Sequence, residues 1–137
     1  MTIIDMQTMR YLNLFNRVSN VKTTRCFVYN NTILFAVPNA MMRQAIGPEA
    51  RNVRMMQETL GKRVKIISEA QGPRDVERFV RSVVDPVGFK SINVEGEEAV
   101  INAGGQYKAA LIGRNKARLD ELALIIQNVF GKQLKIV

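Results

Sequence analysis

The sequence predicts an α+β fold made of two copies of one unit, each α-β-β-α-α-β with a three-stranded sheet backed by helices. Three observations carry that expectation. The stretch Ala45 to Ile67 opens a polar loop with Ile46-Gly47 and reaches a basic-apolar alternation through Gly61-Lys62; it returns near the end of the chain as Ile112-Gly113 and Gly131-Lys132. The glycines of each copy are 14 residues apart in the first and 18 in the second. That difference is about one helical turn, so both intervening helices can bury the same face. A shift of 66 residues then lays Cys26 on Ile92, Phe35 on Ile101 and Gly47 on Gly113 without a gap. Internal repetition of this kind dominates any reading of the chain.

The elements follow in order. Tyr11, Leu14, Phe15 and Val18 share one helical stripe, which predicts a helix over Met6 to Val18 with Asp5 as its N-cap. Arg25 to Tyr29 and Thr32 to Val37 read as strands joined by Asn30-Asn31, a pair that tolerates positive φ and suits a hairpin turn. Pro38 starts a short helix, Asn39 to Ile46, ended by Gly47. A second helix over Ala50 to Leu60 turns Val53, Met56 and Leu60 inward, and Arg63 to Ile67 closes the unit as a strand. Gln71-Gly72-Pro73 marks the boundary, giving domains of residues 1–70 and 71–137.

The order then repeats. Val76, Phe79, Val80, Val83 and Val84 predict a helix halted at Asp85-Pro86. Phe89 to Val94 and Ala99 to Ala103 flank Glu95-Gly96 as a second hairpin. A short helix, Gln106 to Ile112, leads through Gly113 into a long one near Lys116 to Phe130, then a strand from Gln133 to Val137.

Composition narrows the function classes. The 137 residues carry 20 basic and 12 acidic side chains, a net charge of +8, which points towards a polyanionic partner such as nucleic acid. Ten basic and four acidic residues lie in 1–70, ten and eight in 71–137. No histidine is present and Cys26 stands alone, so zinc sites, other metal sites and histidine-based catalysis are not expected, and Cys26 reads as a buried, inert thiol. Paired carboxylates for acid–base work are absent, since Glu97-Glu98 falls at a turn. Neither Ile-Gly segment has the Gly-Lys-Ser/Thr of a P-loop. We therefore expect no enzyme activity, no cofactor and no small-molecule substrate. Apolar runs are short and no charged-then-apolar leader opens the chain, so the expectation is a soluble, cytoplasmic protein without a membrane partner.

The loops carry the chemistry. A tight turn into a helix N-terminus offers unpaired backbone N–H groups and the positive end of the helix dipole, a natural seat for phosphate. Glycine at the first position lets a nucleic-acid backbone approach closely. Flanking cations add attraction that is independent of sequence. Candidate RNA contacts are Ile46, Gly47, Pro48, Glu49, Ala50, Arg51 and Arg54 at the first loop, with Arg43 nearby, and Lys108, Ile112, Gly113, Arg114, Asn115, Lys116 and Arg118 at the second. Pro48 lacks an N–H and Glu49 brings negative charge, so the second loop is the stronger candidate. Ile46, Val53, Ile112 and Leu119 read as core whose edges could floor a base groove. Packing is the plainer role for Phe27, Phe89 and Tyr107, and an outward strand face for Lys62, Arg63, Lys65, Lys132 and Lys135.

Ile-Gly-x-x followed by a helix, then a strand, resembles the KH module, whose GxxG loop clamps about four single-stranded nucleotides. With a helix and a strand ahead of the core, each half resembles the prokaryotic-type (type II) KH topology. Two such modules in tandem resemble the short archaeal form of the NusA transcription termination/antitermination factor. The resemblance implies a single-stranded RNA-binding protein acting in transcription elongation or termination through two rigidly packed KH modules. Its implied partners are the nascent transcript and RNA polymerase. Neither loop is a full GxxG: Ala50 and Lys116 stand where the second glycine would be. They cost little if that position is helical and are strained if it needs positive φ. Two other roles fit the same residues: a KH protein of ribosome assembly or RNA processing, and a polymerase-docking module whose degenerate loops no longer bind RNA.

Overall fold

The structure, a computed structural model, describes residues 6–137. Asp5, the expected N-cap of the first helix, lies outside the described residues. The fold is α+β, with two three-stranded sheets and six α-helices among the described residues. The chain divides into two compact units that meet between Glu69 and Ala70. No helix among the described residues is long and apolar enough to cross a membrane.

In the first unit, α1 (Met6–Ser19) buries Tyr11, Leu12, Phe15 and Ser19. The stripe read from sequence is therefore rotated: Leu14 and Val18 only flank the core, while Leu12 and Ser19 enter it. A buried serine is tolerable because its hydroxyl is satisfied. Ser19 Oγ donates to the Phe15 carbonyl at 2.7 Å and accepts from the Val21 N–H at 3.1 Å. The strands β1 (Arg25–Tyr29) and β2 (Thr32–Val37) pair antiparallel across Asn30 and Asn31, whose φ values of 51° and 58° make the turn that matches strand twist. Cys26 is half-buried in β1 rather than buried.

A 3₁₀ turn over Asn39–Met41 precedes α2 (Met42–Ile46), so the expected short helix is split at Met41. After the loop come α3 (Arg51–Leu60) and β3 (Arg63–Ser68), which lies parallel to β2. Phe15 stacks on Phe35 with ring centroids 4.5 Å apart, and Ile33, Val37, Ala45 and Met56 complete a core between helices and sheet. Met56 alone of α3 is fully enclosed, with Val53 and Leu60 half-buried beside it.

The second unit opens with α4 (Val76–Val84), whose five stripe residues are all buried. Ahead of it Asp75 accepts from the Gln71 N–H and from the Arg78 guanidinium. Strands β4 (Ser91–Glu95) and β5 (Glu98–Asn102) turn at Gly96-Glu97, not at Glu95-Gly96 as expected. Phe89 lies outside the strand because Arg81 claims it: the guanidinium covers the ring at 4.1 Å and donates to the Phe89 carbonyl at 3.1 Å. α5 (Gly104–Ile112) begins two residues before Gln106, with the Gly104 N–H bonded to Asn102 Oδ1. α6 (Ala117–Phe130) and β6 (Gln133–Ile136) complete the unit, β6 parallel to β5. Phe79 meets Phe130 edge-on, centroids 5.7 Å apart.

The repeat holds at the level of strand register. Cys26 faces Phe35 and Ile92 faces Ile101, and all five hairpin pairs of one unit recur 66 residues later in the other. Across the parallel pairs Phe35 faces Ile66 and Ile101 faces Ile136, an offset of 70 on the last strand. The four additional residues lie in α6, which has 14 residues against 10 in α3.

Candidate nucleic-acid interface

Each unit presents one loop between two helices, and the two loops share a backbone. Gly47 and Gly113 have φ/ψ of 79°/166° and 75°/172°. Glu49 and Asn115, at the third position, have 55°/33° and 56°/30°. Ala50 and Lys116, at the fourth, have 59°/30° and 62°/22°. The fourth position is thus left-handed rather than helical, so Ala50 and Lys116 carry backbone strain of the order of 1–2 kcal/mol each. Neither residue begins its helix as the sequence reading had it; α3 starts at Arg51 and α6 at Ala117.

Hydrogen bonds inside the loops match as well. The N–H of Gly47 donates to Arg43 and that of Ala50 to the Gly47 carbonyl at 3.1 Å, while Gly113 and Lys116 donate to Ala109 and Gly113. The loops differ at the second position, where Arg114 supplies a backbone N–H that Pro48 lacks. Neither helix has a side-chain cap at its N-terminus.

The first-position glycines are fixed by two constraints. Their φ/ψ lies in a region open essentially to glycine. A Cβ on Gly47 would also sit 2.9 Å from Asn52 Cγ, and one on Gly113 2.6 Å from Arg118 Cγ and 2.9 Å from the Arg118 backbone N. Asn52 and Arg118 occupy the same place in the repeat, five residues after the glycine, and each anchors its loop differently. Asn52 Nδ2 donates to the Gln44 carbonyl at 3.0 Å, and Gln44 Nε2 donates to Asn20 O at 3.2 Å, tying loop, α2 and the end of α1 together. Arg118 Nη1 instead pairs with Glu121 Oε1 at 2.8 Å. Sequence reasoning missed Asn52, Gln44 and Glu121, although the 66-residue shift that aligns Asn52 with Arg118 marks the position.

The candidate residues fall into three groups by exposure. Pro48, Glu49, Arg51 and Arg54 are exposed at the first loop, with Arg43 beside them, and Lys108, Arg114, Asn115 and Lys116 at the second. None of these cations forms an ion pair with a described residue. Ile46, Val53, Ile112 and Leu119 are half-buried, with one edge in the core and one towards solvent. Gly47, Ala50, Gly113 and Arg118 are also half-buried, Arg118 with its guanidinium held by Glu121. Of the aromatic candidates, Phe89 is buried, Tyr107 is half-buried with its ring against Gly88, and Phe27 is half-buried in β1. Among the described residues no cluster of acidic or cysteine side chains is arranged to hold a metal ion.

Electrostatically the loops are unequal. The second has cations at positions two and four and a neutral asparagine between them; the first has proline, glutamate and alanine there. A phosphate at the second loop would meet two side-chain charges and one more backbone donor than at the first.

No family model matches the chain. It is 26% identical over 93 residues to a protein of Halococcus morrhuae described as "Probable transcription termination protein NusA", covering 68% of this chain and 65% of the relative. To the protein of the same description from Methanocaldococcus jannaschii it is 24% identical over 120 residues, 85% of this chain and 64% of the relative. The chain thus spans a little under two thirds of the length of these curated relatives. Among solved structures, that of APE1850 matches with a TM-score of 0.69 at 28% identity, covering 98% of this chain and all of that one. At this level of identity, the chain is similar to the NusA-like transcription termination proteins.

Proposed function

We propose that this chain is a single-stranded RNA-binding protein of transcription elongation or termination, built from two type II KH modules and acting without enzymatic chemistry. It binds the nascent transcript in the cytoplasm and docks on RNA polymerase. One observation carries the reading: two equivalent loops, each glycine-opened with two left-handed residues, sit at helix N-termini in a repeated α-β-β-α-α-β frame. The mixed sheet of each unit, one antiparallel and one parallel pair, suits that topology. Similarity to the termination proteins supports the cellular role.

Binding is expected to be dominated by phosphate contacts. A handful of them lowers affinity about a hundredfold or more between roughly 50 and 200 mM salt. Two modules on one chain raise the effective concentration of the second contact once the first is made. The loop asymmetry assigns the larger share to the second unit. Fluorescence anisotropy with single-stranded RNA tests this directly. The pair Arg114→Glu with Lys116→Glu should weaken binding more than Arg51→Glu with Arg54→Glu. A constant unaffected by salt would sink RNA binding, and the reverse order of the pairs would sink the assignment of the stronger loop.

A further inference from the structure

At the far end of α3 from its loop, the first unit has a cleft between two turns. Asn30 and Asn31 at the hairpin tip, with Gly61, Lys62 and Arg63 between α3 and β3, line about 540 Å³. Register places the turns side by side, since Thr32 pairs with Arg63. Lys62 and Arg63 are exposed, and neither forms an ion pair with a described residue.

The second unit contains the same two turns and serves as an internal comparison. Gly96 and Glu97 form its hairpin tip, followed across the gap by Gly131, Lys132 and Gln133. There the lysine is spent on the protein: Lys132 Nζ donates to the Gly96 carbonyl at 2.8 Å. The Gln133 N–H donates to the Glu97 carbonyl at 2.9 Å, and Glu97 places a carboxylate where Asn31 stands in the first unit. The first cleft therefore carries two positive charges against none in its counterpart.

We propose that the Asn30–Arg63 cleft binds a backbone phosphate of RNA, and that only the first unit has such a site. The two cations supply charge-assisted donors. A helix C-terminus contributes about half a negative charge, which accounts for one nearby cation but not for two left without a carboxylate. The inference rests on the RNA-binding reading above and extends it. The cleft lies about 15 Å along α3 from Gly47–Ala50, so one phosphate cannot touch both. A strand gripped at both ends of α3 is longer than the roughly four nucleotides a single loop clamps. The additional contact lies in the unit whose own loop carries Pro48 and Glu49.

The test compares single-stranded RNAs of about four and about twelve nucleotides. With Lys62→Glu and Arg63→Glu together, affinity for the longer RNA should fall about tenfold and the salt slope should drop by about 1.4, at roughly 0.7 per lost phosphate contact. The shorter RNA and the Lys132→Gln variant should show no change. Lys62→Gln with Arg63→Gln repeats the measurement without introducing negative charge, and circular dichroism confirms the fold of each variant. Inorganic phosphate should shift the amide resonances of Asn30, Asn31 and Lys62 and leave Gly96, Glu97 and Lys132 in place. Equal losses on both RNAs, no loss on the longer one, or a matching loss in Lys132→Gln would overturn the proposal. If the unaltered protein binds neither RNA, the RNA reading fails and the phosphate titration alone decides whether the cleft takes anions.

Discussion

Ala50 and Lys116 hold the same left-handed backbone, φ/ψ of 59°/30° and 62°/22°, at the last position before α3 and α6. A Cβ in this region is crowded by the carbonyl that follows, and two unrelated side chains accept that cost at the same point of a repeat. Ala50→Gly and Lys116→Gly should each stabilise the protein. Relief of about 1–2 kcal/mol is partly offset by the greater freedom of glycine in the unfolded chain, leaving a gain of roughly 1 kcal/mol or less. Urea midpoints check this, and a fall in midpoint for both variants would show that the left-handed turn is not strained.

Glycine at the first loop position allows no such latitude. Gly47→Ala and Gly113→Ala combine an unfavourable φ/ψ with a Cβ driven against the residue five positions on, 3.1 Å from the Asn52 N and 2.9 Å from the Arg118 N. Each should cost about 2–4 kcal/mol, with Gly113→Ala the worse because its backbone contact is closer. Thermal melting of the two variants ranks them.

Asp75 gives the chain a small dependence on acid. The Arg78 side chain, hydrogen-bonded to it, and the Gln71 N–H hold its carboxyl below the ordinary value of 3.8. A group whose folded value is depressed adds stability that is complete above 3.8 and lost as pH falls through the folded value. Asp75→Asn should therefore lower the urea midpoint at neutral pH by an amount worth a few tenths to about 1 kcal/mol, as for a partly exposed pair. The two proteins should converge at lower pH. A difference that persists there would place the effect in the loop before α4 rather than in the charge.

Much of the fold was legible because hydrophobic period and turn chemistry agree along the chain. Arg25–Tyr29, Thr32–Val37 and Val76–Val84 are bounded by Asn-Asn, Pro38, Asp75 and Asp85-Pro86, and their limits stand as read. The 66-residue shift anticipated paired positions such as Cys26 with Phe35 and Ile92 with Ile101. Less legible was anything decided by a neighbour outside the local pattern. Phe89 looks like the start of a strand until Arg81 draws it under a guanidinium. The left-handed pairs Glu49-Ala50 and Asn115-Lys116 carry a clue only at Asn115, since alanine and lysine have no affinity for positive φ. Arg118 reads as a loop cation, yet three residues on, Glu121 engages it on the same helical face.

The additional length of α6 says how these halves are free to diverge. Four residues advance a helix by about 40° beyond one full revolution, so Leu122, Ile125 and Ile126 still meet their sheet and the final strand keeps its alignment. One residue more or fewer would swing that seam by about 100° and present charge to the core. Length in this helix is therefore quantised: whole turns can be gained or removed, whereas single-residue insertions or deletions are barred by geometry.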